Sequence, residues 1–141
     1  MPGISFKFPA LSGNLRLARL VSMGFASRKG YDYDQVADIA LMVGESCAFM
    51  LLHVEEGSEL HLSLELKENR AKISVLGTSE KESPEFDPNQ ERLSLLILRY
   101  MADSFIWSKN PPWIKLTFRL YGDQSWKDKI PVGIQDDKSP A

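Results

Sequence analysis

Between Asp34 and Val54 the chain reads DQVADIALMVGESCAFMLLHV, and Val36, Ile39, Val43, Cys47, Met50 and Val54 recur at steps of three or four. That spacing draws one apolar stripe down a helix of roughly six turns, and such a stripe must lie on something. Glu45, Phe49 and His53 sit four apart and form a second row, rotated away from the stripe. The row carries a carboxylate, then an aromatic ring where a polar ligand would be wanted, then an imidazole.

Ahead of this central helix, Ile4, Phe6 and Phe8 alternate with Ser5 and Lys7, a short strand ended by Pro9. From Ser12 to about Lys29, Leu15, Ala18, Ser22 and Phe25 have helical spacing, with Leu17, Leu20 and Val21 widening the apolar face and Gly30 as the stop. Asp34 is the expected N-cap of the central helix, and the run Glu55 to Ser58 is expected to end it. Leu60, Leu62, Leu64 and Leu66 then alternate with polar residues, and so do Ala71, Ile73 and Val75, which predicts an antiparallel hairpin. Residues 77–89 lack a periodic apolar pattern and are expected to form a long mobile loop. Asp87, Pro88 and Gln90 form a capping signature for a third helix, whose apolar residues are Leu93, Leu96, Ile97, Tyr100 and Met101. Two last strands, Phe105 to Trp107 and Trp113 to Leu120, complete the pattern.

Each strand has a polar face and each helix a single stripe. The economical architecture is an α+β two-layer sandwich, with three helices packed on one face of a mixed, mainly antiparallel sheet. The expected domain is residues 1–121. Residues 122–141, polar and Pro/Gly-bearing, read as a flexible C-terminal tail or docking segment.

Charge and composition narrow the function by exclusion. With 141 residues, a formal net charge of -2 and a sequence pI near 5.7, the chain has room for one cored domain and no basic footprint for direct nucleic-acid binding. The single cysteine, Cys47, falls on the apolar stripe, where a thiol behaves as a small hydrophobe. No segment has the length of a membrane span or the pattern of a signal peptide, so the expected location is cytoplasmic and away from membranes. With His53 and His61 as the two histidines, no zinc pattern can be built, and neither standard phosphate-binding glycine motif occurs. Glu45 has the chemistry of a general base, although a helix carboxylate is more often a solvated group. His53 reads first as a helix-end histidine packed or hydrogen-bonded locally.

The run YDYDQVADIALMVGESCAFMLLHV resembles the helix that carries the first nucleotide box of the bacterial anti-sigma factor serine kinases, the RsbW and SpoIIAB family of the GHKL ATPases. That box reads E-x-x-x-N-x-x-x-H, with Glu as base and Asn as magnesium ligand, and the resemblance spans about residues 4–120. It implies a GHKL fold, a sigma factor of RNA polymerase as partner, a STAS anti-anti-sigma protein as a second one, and a homodimer. Three departures accompany it. Phe49 stands in place of the Asn and offers no oxygen to a hard cation. Gly77 stands where an adenine-reading Asp is expected, with Ser79 in place of the first Gly of D-x-G-x-G. Arg92, Leu93 and Ser94 replace the glycine-rich turn that admits phosphate.

With all three boxes altered, the expectation is an anti-sigma factor that sequesters a sigma factor without kinase activity. No cofactor, metal or catalytic residue is expected, and Glu45 would be vestigial. The alternatives are an active serine kinase acting on a STAS protein and an interaction module of another signalling complex. The segment ARLVSMGF, residues 18–25, is similar to the family's first-helix segment, and this places the partner contact on Arg19. Arg16 and Leu20 beside it supply the basic and apolar pairing of an interface anchor.

Overall fold

The computed structural model describes residues 3–79 and 88–121. Strand β1 (Gly3–Pro9) leads into helices α1 (Asn14–Arg28) and α2 (Tyr33–Leu51), then strands β2 (Glu59–Lys67) and β3 (Arg70–Gly77), helix α3 (Pro88–Met101), and strands β4 (Ser104–Lys109) and β5 (Pro112–Arg119). The strands form one sheet in the order β1-β2-β3-β5-β4, and the three helices cover one of its faces. The expected two-layer α+β sandwich is therefore present. Every described pairing is antiparallel rather than mixed, because β5 inserts between β3 and β4 and separates two strands that run the same way. β1 and β4 are the edges.

The period-two pattern sets the register. Leu62 on β2 lies opposite Phe6 on β1 and Val75 on β3, and Leu64 opposite Ile4 and Ile73, so apolar side chains share one face across three strands. Leu60, Leu62, Leu64, Ile73, Val75 and Ile114 are fully buried there. Burying a side chain of this size contributes about 1.5–3 kcal/mol. Helix α2 closes the core from above: all six residues of its expected stripe, Val36 to Val54, are buried. Among the described residues no helix is long and apolar enough to cross a membrane.

Five local expectations are corrected. The N-cap of α2 is Asp32, not Asp34. Its side chain accepts from the Gln35 backbone N–H at 2.9 Å, while the Gln35 side chain accepts from the Asp32 N–H at 3.0 Å, a complete capping box two residues upstream. At the other end α2 stops at Leu51, ahead of a turn in which Gly57 takes a φ of +83°. On α1 the buried strip consists of Ala18, Ser22 and Ala26, whose small side chains bring the helix close to its neighbours. Leu17 and Leu20 do not widen that strip; they are 54% and 53% exposed. On α3 the buried residues are Ser94 and Leu98, so the stripe expected from Leu93, Leu96 and Tyr100 faces outward. The two candidate faces of α3 are one residue apart, and contact with α2 selects the less apolar one. Gly77 belongs to β3 rather than to the following loop. Residues 80–87, including the expected cap Asp87, and the expected tail 122–141 lie outside the described residues.

The capping box makes a distinguishing prediction. Asp32→Ala removes a side-chain acceptor from the start of α2 and should cost about 1 kcal/mol. Asp34→Ala, inside the first turn, should cost only about 0.3–1 kcal/mol through the helix dipole. Paired urea denaturation curves of the two variants check the order.

Candidate functional site

Helix α2 aims its second row at α3 and β4. Phe49 is fully buried, its ring centroid 4.8 Å from that of His53 and 4.9 Å from that of Trp107, meeting Trp107 edge to face at 82°. His53 stacks on Trp107 with centroids 5.4 Å apart. Aromatic groups at these separations attract beyond their area burial, by roughly 0.5–1.5 kcal/mol per pair. The His53 Nε2 lies 2.9 Å from Oε2 of Glu91 in the first turn of α3. His53 is thus packed locally on Phe49, as expected, and is held in addition by tertiary partners, Trp107 and Glu91. Position 49 is the hub of a three-ring cluster, and an amide in its place would put polar atoms against ring faces.

Glu45, one turn earlier, is half-buried. The Ser94 hydroxyl donates a long hydrogen bond of 3.5 Å to its Oε2. Burial pushes the Glu45 carboxyl above the usual carboxylate range, opposed by the Ser94 hydroxyl and by the Arg19 guanidinium. Ser94, at an expected phosphate-loop position, therefore points into the helix layer, while Arg92 is exposed on the outer side of α3.

Gly77 is buried beneath the end of α2. A Cβ built on it would stand 2.5 Å from Cγ1 of Val54 and 3.1 Å from Cγ of Pro112. Its φ is not in the left-handed region, so space rather than backbone conformation demands glycine here. Thr78 and Ser79 leave the sheet against the α2–β2 connection, the Thr78 backbone and hydroxyl donating to Glu59 O and the Ser79 carbonyl accepting from Glu55 N at 3.0 Å. Among the described residues no group of three or more His, Cys, Asp or Glu could hold a metal ion. Burial pushes the Cys47 thiol up to about 12, leaving it protonated and unreactive at neutral pH.

The three residues expected to meet a partner fall on α1. Arg16 and Leu20 are exposed one turn apart, and Arg19 lies half-buried beside them, against α2. A second leucine, Leu17, shares the exposed face. The periodicity of α1 counted Leu17 among the core residues, and only the close packing of Ala18, Ser22 and Ala26 reveals its exposure. Trp107, Glu91 and Gly44 were also missed as site residues. Trp107 reads as one more apolar strand position, and Glu91 as an ordinary first-turn acid.

No family model matches the chain. It is 36% identical over 91 residues to serine-protein kinase RsbW of Halalkalibacterium halodurans, covering 64% of this chain and 55% of that one. It is 31% identical over 93 residues to serine-protein kinase RsbW of Bacillus subtilis, covering 64% and 57%, and 32% identical over 74 residues to the protein of that name from Bacillus thuringiensis, covering 51% and 46%. The chain thus spans about half the length of the curated relatives it matches. With a GHKL-like sandwich of three helices on an antiparallel sheet, and with this identity over 64% of its length, the chain is a homologue of the RsbW serine-protein kinases.

Proposed function

We propose that the chain is an anti-sigma factor that sequesters a sigma factor through the outer face of α1 and does so without ATP-dependent kinase activity. The observation that carries the reading is the α1 face itself. Leu17 and Leu20 stand 54% and 53% exposed next to Arg16 and Arg19, an apolar patch with cationic neighbours that no described element covers. Such a patch fits an interface core flanked by charge that steers the partner. The mechanism is steric: sigma held on this face cannot engage core RNA polymerase. The exposed edge of β1 supports assembly of the 15.9 kDa chain as a homodimer, with a STAS protein as a competing partner.

Lack of kinase activity is supported by the packing around three positions. Phe49 holds an aromatic cluster where the family's magnesium ligand belongs, Gly77 has no room for a carboxylate, and Ser94 is turned toward Glu45. The competing reading, an active kinase of a STAS protein, rests on the name of the relatives and on Glu45, which keeps the position of the base.

Magnesium and ATP at millimolar concentration are expected to leave the melting temperature unchanged, since only a ligand that binds the native state raises it. A magnesium-dependent rise, or phosphate transfer to a STAS protein, would establish the kinase reading. Phe49→Asn, which restores the family residue, should cost about 3–5 kcal/mol by emptying a core site and leaving an amide unsatisfied. It should confer no ATP response; chemical denaturation and the same thermal assay check both. Arg19→Glu should weaken sigma binding by about 2–5 kcal/mol, and it should lower the melting temperature modestly because a second carboxylate then stands beside Glu45. Calorimetric titration with sigma provides the test, and unaltered affinity in the folded variant would move the recognition surface elsewhere.

A further inference from the structure

Arg19 is one of the longest side chains on α1, and where it crosses α2 stands a glycine, Gly44. Gly44 is buried, and a Cβ built on it would stand 3.0 Å from Cδ and 3.0 Å from Nη1 of Arg19, with Cγ at 3.5 Å. Stem and head of the arginine therefore both lie along the backbone of α2 at that one residue. Gly44 has no positive φ and sits inside a helix, where glycine is the poorer choice. Backbone conformation does not account for it; the room it leaves is filled by Arg19. The next residue, Glu45, supplies a negative charge whose field acts on the same guanidinium, and Ser94 of α3 bonds that carboxylate.

We propose that Gly44 is a positioning residue for partner recognition: it forms the slot that holds Arg19 flat across α2, so that a pre-ordered guanidinium beside Leu20 meets a carboxylate of the partner. This rests on the assignment of the partner surface to α1. An arginine free in solvent loses rotamer freedom when an interface forms, and one already held in its slot loses less. The planar guanidinium suits two-point contact with a carboxylate, and exposed Leu17 and Leu20 supply the apolar surround that excludes water. The partner segment that fits is one acidic side chain flanked by apolar residues. Glu45 acquires a role in this arrangement that is electrostatic rather than catalytic, as a counter-charge on the inner side of the slot.

A double-mutant cycle tests the coupling. The probe is the sigma factor, among those of the chain's own genome, that the wild-type full chain binds most tightly. Gly44→Ala should weaken binding about three- to tenfold, the scale of one immobilised rotamer-rich side chain. Its melting temperature should not fall below wild type by more than the loss of the slot contact, because alanine favours the helix. In an Arg19→Ala background, Gly44→Ala should have no further effect on affinity. In the free protein, nuclear relaxation at the Arg19 Nε should show increased motion in Gly44→Ala, a readout that a general loss of packing does not produce at one side chain. If Arg19→Ala weakens binding while Gly44→Ala does not, or if the two losses simply add, the inference is overturned and the α1 surface stands. If Arg19→Ala leaves affinity unchanged, both fail together.

Discussion

The structure depends on α2 meeting a different neighbour with nearly every residue of its middle turns. Val43, Cys47 and Met50 belong to the buried core, Gly44 receives α1, Glu45 reaches Ser94 on α3, and Phe49 meets Trp107 on β4. A helix with partners on three sides has little freedom to shift, since closely packed interiors respond to a displaced methylene on all sides at once. The proposed partner surface inherits that rigidity. Arg19 is placed by α2, and α2 is placed by the leucines of β2 and the apolar residues of β3 and β5 beneath it.

The fold was legible where two signals agreed. In β2 and β3 the alternation of residues and the hairpin spacing indicate the same face, and the observed register follows both. The stripe of α2 is likewise unambiguous because all its members are large or sulfur-bearing. Helices α1 and α3 were harder to read, for one shared reason. Each carries apolar residues on more than one face, and the face turned inward holds small or polar side chains, Ala18, Ser22 and Ala26 on α1 and Ser94 on α3. Hydrophobicity alone ranks the leucines first, whereas close helix packing rewards small side chains at the contact. The cap of α2 was misplaced by two residues because Asp32 and Asp34 are chemically equivalent, and only the Gln35 that completes the box distinguishes them.

The positions expected to be altered in the nucleotide boxes could be named from the sequence, but their packing could not. Phe49 in place of a metal ligand reads as a missing oxygen; in the fold it is a positive contribution, the centre of an aromatic cluster tied through His53 to Glu91. Ser94 reads as the loss of a glycine turn and proves to be a hydrogen-bond donor to Glu45. Apart from the Phe49–His53 pair, which helical spacing does encode, those contacts join residues far apart in the chain, and no local period predicts them. Gly44 is the same case in reverse: an isolated helical glycine, ordinary in the sequence, is explained only by the arginine that crosses it.

The crowding at Gly77 makes the order of evolutionary change matter. With Val54 only 2.5 Å from where a Cβ would stand, and Pro112 close behind, any larger residue at 77 must wait until its neighbours have yielded space. Overfilling such a site costs typically 1–3 kcal/mol, a sizeable share of the margin by which a small domain stays folded. The glycine therefore works as a latch on sequence change: an aspartate at this position becomes tolerable only once Val54 or Pro112 has given way.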